Sequence, residues 1–231
     1  MPYMNVTIRQ QALQLTGRTR WMVQETEQQW DPLSTALVIV DMWDCHWCPS
    51  AVQRVNELAV LVNATVSAAR ALGCLVIHAP SSCSAFYDKY PQRQWVKTLP
   101  NYPFPHAVPF QEAPLPLDTS DSSLGCDVPG YVWDPTKKDC WTRQNALIDI
   151  APPDAIIDDS SRELVNVLGA KKINRLVYLG VHSNFCILYR NFGLNFTRRR
   201  APHAYNVHVV REAMDASYSP HLPPYVTHEQ G

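Results

Sequence analysis

A cysteine and a carboxylate, far apart in the chain, carry the chemistry. Cys186 lies in RLVYLGVHSNFCILYRNFG, Arg175 to Gly193, which reads as an apolar strand (Leu176 to Leu179), a tight turn at Gly180, and a cysteine opening a helix. A helix N-terminus carries partial positive charge, so a thiol placed there is expected to ionise more readily than usual. Most free cysteines are small buried hydrophobes, and this stretch alone leaves both readings open. Asp41 closes the strand in TALVIVDMW, where Leu37 to Val40 form a continuous, β-branched apolar run that predicts a strand buried on both faces. An Asp closing such a strand stands at the carboxyl edge of an open α/β sheet, the edge that binds ligands. Capping a helix is the plain alternative for an Asp, but Pro49 and Ser50 offer a better helix start several residues later.

The elements that would position this pair alternate between strand and helix. After the first buried strand, Val52, Val55, Ala59, Val62, Val66 and Ala69 recur at helical steps, with Ser50 to cap the start and Gly73 the end. CLVIHAPS then gives a second buried strand, Leu75 to Ile77, closing on His78. Strand, helix and strand make the βαβ unit of a parallel sheet. ALIDI, Ala146 to Ile150, is expected to be another strand. Ser160 and Glu163 form a capping box for a helix ending at Gly169. A helix from Cys186 to about Gly193 and a strand over Asn206 to Val210 follow, with Arg211 to Tyr218 as a loop at the same edge. A further covering helix is expected after the last strand, or a partner on that face. The fold class is α/β, a three-layer sandwich with a mainly parallel, Rossmann-like sheet.

Two segments lie outside this pattern. Residues 1–32 show weak alternation at Asn5–Arg9 and Arg20–Gln24 around Gly17, which predicts a short hairpin or arm packed on the domain or on a neighbouring subunit. Residues 33–231 then form a single domain. Within it, 80–140 holds roughly half of the 19 prolines, a long insertion or lid expected to be ordered but irregular, with a helical turn or two in SAFYDKYPQRQWVKTL. It either encloses substrate or makes an oligomer contact.

VIVDMW and GVHSNFCI together resemble the two signature segments of the isochorismatase-like cysteine hydrolases, the superfamily that includes nicotinamidases; the resemblance runs from about Ala36 to Met214 and is weak in the middle. It implies a triad in which Cys186 attacks an amide-type carbonyl and Asp41 is the acid/base. It also implies an oxyanion hole from the backbone N–H groups of His182 and Cys186, with a cis peptide at Val181–His182. The family's third member is a Lys roughly 35 to 45 residues before the Cys. This chain has none there, and Arg143 in CWTRQN is the best substitute, with Lys137 and Lys138 somewhat early. An Arg supplies positive charge but does not cycle a proton at neutral pH. Trp43, His46, Trp47 and His78 are expected around the pocket and suit a planar or aromatic substrate, although aromatics after a strand are as often core. Nicotinamidases of the superfamily hold a metal through an Asp-x-His after the second strand. Here that stretch is HAPSSCS, so no metal and no cofactor is expected.

The resemblance thus implies hydrolysis of a small amide by a homo-oligomer. Two other function classes stay open: a degenerate hydrolase acting as a binding protein, and a thiol oxidoreductase or zinc site at Cys45-His-Trp-Cys48. The second leaves Asp41 and GVHSNFC unexplained. A net charge of −1 gives no reason to expect nucleic acid or an anionic membrane as partner. No apolar run approaches a membrane span, and the first residues lack a secretory pattern. Seven cysteines at scattered spacings do not resemble a disulfide framework, and the sequons at Asn5, Asn63 and Asn195 carry little weight without a secretory signal. The expected location is cytoplasmic.

Overall fold

Two strands, β1 (Met4–Gln14) and β2 (Arg20–Trp30), pair antiparallel as a long ribbon ahead of the sheet. Met4, Val6 and Ile8 at its base pack on the core, while Leu13, Trp21 and Val23 toward its tip are exposed. The computed structural model describes residues 3–15, 17, 20–106, 108, 123–136, 139–200 (200 without its side chain) and 204–231.

The sheet proper is five-stranded and parallel. Its members are β3 (Thr35–Val40), β4 (Leu75–Ala79), β5 (Ala155–Ile156), β6 (Arg175–Val181) and β7 (Asn206–Asp215), in the order β5-β4-β3-β6-β7. Every residue of β3 is buried, because alternate side chains face two different layers. Leu37 and Ile39 meet α1 (Pro49–Leu72) through its Val55, Ala59, Val62 and Val66. Val38 and Val40 face the opposite layer, where α2 (Pro91–Thr98) contributes Val96 and α3 (Ser161–Lys171) contributes Leu164, Val167 and Leu168. The three-layer α/β sandwich is thus written residue by residue along one strand. Among the described residues no helix is long and apolar enough to cross a membrane.

Several local expectations are corrected. ALIDI is not a strand: Ile148 is buried from a loop, and the strand beside β4 is the two-residue β5 further on. The cap position of α1 is Cys48 rather than Ser50, whose hydroxyl bonds Asp127 instead. Ser160 does cap α3 through the Glu163 N–H, but the helix passes Gly169 and ends at Lys172 in the left-handed region. Gly169 is there for space, since a Cβ would lie 2.3 Å from the Tyr102 ring. After Cys186 the chain forms not one helix but a single turn, α4 (Cys186–Tyr189), and then α5 (Leu194–Arg200).

The cysteine reading is also corrected. Cys45 bonds Cys140 and Cys48 bonds Cys126, with Cα separations of 5.6 and 5.7 Å. Neither member of the C-x-x-C pairs with the other, so the motif does not form the redox dithiol. Among the described residues, the one group of three side chains able to converge on a metal is Cys48, Cys126 and Asp127. Its two sulfurs are consumed by their bond, and Asp127 is held by Arg54 and Ser50.

Gly180 fixes how closely the two functional strands end. It pairs with Val40 in the β3–β6 register at φ +113°, and a Cβ there would sit 2.2 Å from the Val40 carbonyl oxygen. Gly180→Ala therefore forces apart the strand ends that carry Asp41 and His182. It is expected to destabilise the fold by roughly 3 kcal/mol, read as the midpoint shift in urea unfolding; an unchanged midpoint would refute the close approach.

Candidate active site

Asp41 follows the last residue of β3 with φ +46°, a left-handed conformation that Asp tolerates better than most residues, and it is 1% exposed. Strained backbone at a buried carboxylate is where function is looked for first. Its Oδ1 accepts from the Ser81 N–H at 2.9 Å, and its Oδ2 accepts from Arg190 Nε at 2.7 Å. The Cys186 thiol also donates to this carboxylate. Sequence reasoning brought Asp41 and Cys186 to one edge of a sheet, and the structure places them in contact.

The turn that presents Cys186 is held from both sides. The Ser183 N–H donates to the Asp215 carbonyl at the end of β7 at 2.8 Å. The Asn184 side-chain amide and the Ser217 backbone exchange two hydrogen bonds, of 3.0 and 2.8 Å. The Val181–His182 peptide is cis. The His182 N–H points at the Cys186 sulfur, and among the described residues no backbone carbonyl accepts from the Cys186 N–H. Two backbone donors therefore stand beside the sulfur.

Electrostatics contradict the simple helix-terminus argument. Burial, and then the adjacent Asp41 anion, push the Cys186 thiol up to about 12. A one-turn helix offers little compensation. Burial also raises Asp41, against the opposing pull of Arg190, the thiol and the Ser81 N–H. The resting thiol is therefore protonated, with a base already hydrogen-bonded to it.

The cation in this cluster is Arg190, four residues after Cys186 and one helical turn away. Its Nη1 also donates to Asp159 at 3.4 Å, and its guanidinium lies 5.6 Å from the Trp43 ring centre. Arg143, the residue expected in this role, is elsewhere: its Nε is 3.8 Å from Asp44 and its guanidinium lies over Phe86, on a side chain 48% exposed. Lys138, the other candidate, lies outside the described residues. A signal for Arg190 was present in the i, i+4 spacing of CILYR, where side chains share one helical face.

The sulfur opens onto a pocket of about 380 Å³. Trp43, His46 and Trp47 line it as expected, joined by His182, by Leu124 from the insertion, by Trp141 just after it, and by Phe185 and Tyr189 beside the cysteine. Trp141 stacks on Trp43 with ring centres 4.1 Å apart and planes 4° from parallel. Burial and then Arg54 bring His46 down to about 4, so it is a neutral wall near pH 7. His78 is not part of this pocket. It is fully buried, one ring nitrogen 2.9 Å from Gln144 and the other 3.0 Å from Asp154. With both nitrogens engaged His78 offers no ligand atom, and the residues that follow β4, Pro80 to Ser84, include no Asp or His, so this stretch does not fit the metal that the resemblance raises.

No protein-family model matches this chain, and no curated protein is similar to it in sequence. Solved structures do resemble it. A cysteine hydrolase from Pseudomonas syringae pv. phaseolicola 1448A is similar over 81% of this chain and 76% of its own, at 17% identity and a TM-score of 0.46. An isochorismatase family protein from Desulfovibrio vulgaris subsp. vulgaris str. Hildenborough covers 83% and 85%, at 15% identity and 0.45. A nicotinamidase from Bacillus subtilis covers 83% and 90%, at 12% identity and 0.46. These neighbours are cysteine hydrolases, isochorismatase-family proteins and nicotinamidases. At this level of likeness none of them assigns a residue or a substrate to the present chain.

Proposed function

We propose that this chain is an isochorismatase-like cysteine hydrolase that cleaves the C–N bond of a small amide through an acyl-thioenzyme. The supporting observation is the buried contact of the Cys186 thiol with Asp41, at the floor of an open pocket. Asp41 accepts the thiol proton as Sγ adds to the carbonyl carbon. The carbonyl oxygen takes the electron pair and is met by the N–H groups of His182 and Cys186, each such donor worth a few kcal/mol in acyl transfer. Collapse expels the amine, which leaves with the proton from Asp41. Water then adds to the thioester with Asp41 again as base, releasing the acid and restoring the thiol. Arg190 holds Asp41 in place and supports its charge without itself moving a proton.

The reading as a binding protein draws on the high thiol pKa. Against it stands the pocket, which the side chains leave open beside the sulfur. Mixing the protein with p-nitrophenyl acetate, an activated acyl donor, decides between them. The hydrolase is expected to release a burst of one p-nitrophenolate per chain and to carry one acetyl group on Cys186 by peptide mass mapping. Cys186→Ala should abolish both, and a burst that survives that change would refute Cys186 as nucleophile. Ammonia release across a panel of primary amides then tests C–N cleavage itself.

A further inference from the structure

Both disulfides join the same two segments, and both do so at the pocket. Cys45 is followed by His46 and Cys48 is preceded by Trp47, both pocket residues on the loop leaving Asp41. Cys140, the last residue of the insertion, is followed by Trp141, and Cys126 lies two residues after Leu124; Leu124 and Trp141 both reach the pocket. The bridges join cysteines 95 and 78 positions apart, so they add covalent ties between walls that are otherwise joined by hydrogen bonds such as those of Thr142 to Asp44 and of Tyr131 to the Trp47 carbonyl. They also differ in access. Cys48 and Cys126 are each 2% exposed, and Arg54 braces that end by bonding both Asp127 and Asp215. Cys140 is exposed and Cys45 half-buried.

Trp43, the inner ring of the aromatic wall, is fixed independently of the bridges. Its Nε1–H donates to the Ser81 carbonyl at 3.1 Å, and the Ser81 N–H donates to Asp41. Trp141 is the outer ring, with its centre 6.0 Å from that of His46, and its segment is tied to the loop by the Thr142 bonds to Asp44 and by the adjacent bridge. We propose that Trp141 is a specificity-determining residue of the Cys186 pocket and that the Cys45–Cys140 disulfide is the positioning device that holds it against Trp43. The proposal rests on the Cys186 pocket being the reactive site. It places the competent protein in an oxidising compartment, where exposed bridges persist, and so replaces the cytoplasmic expectation.

Two alkylating reagents that differ by one ring test it. Chloroacetamide and 2-chloroacetanilide both transfer a carboxamidomethyl-type group to sulfur; the C–S bond forms, chloride leaves and the thiol proton passes to Asp41 or solvent. In the oxidised wild type the anilide is expected to label Cys186 with saturation. Trp141→Ala, and separately Cys45→Ser with Cys140→Ser, should weaken half-saturation by about tenfold, the worth of one aromatic contact. In the bridge variant the chloroacetamide rate should stay within about threefold. Dithiothreitol should reproduce the bridge variant: it gives two electrons and two protons to the exposed bridge, closing to its own cyclic disulfide and leaving two thiols. Reoxidation should restore the preference. Equal change with both reagents, or no change with either, would overturn the proposal. Should neither reagent label Cys186, the hydrolase reading fails separately, and the circular-dichroism couplet of the stacked Trp43 and Trp141 rings still decides the positioning. Its loss on opening the bridge supports the role, and its persistence refutes it.

Discussion

Asp41→Asn is expected to lower turnover about 10³-fold, the scale of a positioned general base, while making the Cys186 thiol more acidic. The two effects run in opposite directions because Asp41 does two things. In the proposed mechanism it accepts the thiol proton in every cycle. As a buried anion beside the sulfur it disfavours a second negative charge there, and it is the largest cause after burial of the thiol's rise to about 12. Asparagine keeps the shape, removes the charge and cannot accept the proton. Iodoacetamide labelling of Cys186 across pH should therefore show a midpoint displaced to lower pH in the variant, while kcat/KM for an amide substrate collapses. A midpoint that moves upward, or turnover within about threefold of wild type, would overturn the assignment. The same logic fixes the wild-type profile. Activity requires Asp41 ionised and the thiol protonated, so the rate should fall on acidification through a value above the ordinary 3.8 of an Asp, because burial raises Asp41. No alkaline limb is expected until the thiol itself titrates near 12.

What was legible in the sequence was whatever is encoded over a few neighbouring residues. The unbroken apolar run at Leu37–Val40 announced a strand covered on both faces, and the three- and four-residue recurrence from Val55 to Ala69 announced the helix that covers one of them. Asp41 and Cys186 could be found because each closes or follows such a run, and strand polarity in a parallel sheet then brings both to one edge. β5 was missed because a two-residue strand has no period to detect, while ALIDI, a short apolar stretch, is a loop whose Ile148 fills the core.

The errors at the site share a different cause, which is dependence on long-range partners. The bridges join residues 95 and 78 positions apart, and no spacing within the chain marks which cysteine meets which. His78 looked available because it ends a strand at the ligand edge, yet Gln144 and Asp154 take both of its nitrogens. Arg143 was chosen for its distance along the chain from Cys186, whereas the carboxylate selected a cation by distance in space. The cue was short-range after all, since Arg190 lies one turn from Cys186.

That substitution sets the second large effect. Arg190→Met should lower kcat/KM by about 10²-fold or more and cost about 3 kcal/mol of stability near pH 8, at the low end for breaking a buried pair because the Arg190 side chain is 21% exposed. The stability loss should depend on pH with a definite sign. Arg190 opposes the burial that raises Asp41, so removing it raises the folded-state pKa further above the unfolded value. Below the ordinary Asp value of 3.8 the carboxyl of Asp41 is mostly protonated in both states, and the variant loses little beyond packing over Trp43. As pH climbs, the unfolded chain releases the proton while the folded one keeps it or buries a bare carboxylate, and the deficit grows. Urea unfolding of both proteins at pH 4 and pH 8 measures this directly; a deficit equal at the two values would mean that Arg190 acts by packing alone. Arg190→Lys separates charge from geometry. A lysine restores a positive charge near Asp41 but not the fork that spans Asp41 and Asp159. If charge is what matters, the lysine variant recovers the pH-dependent part of the stability and leaves turnover reduced. If the fork alone matters, it behaves as the methionine variant does, and the role of Arg190 is to hold the carboxylate still rather than to balance it.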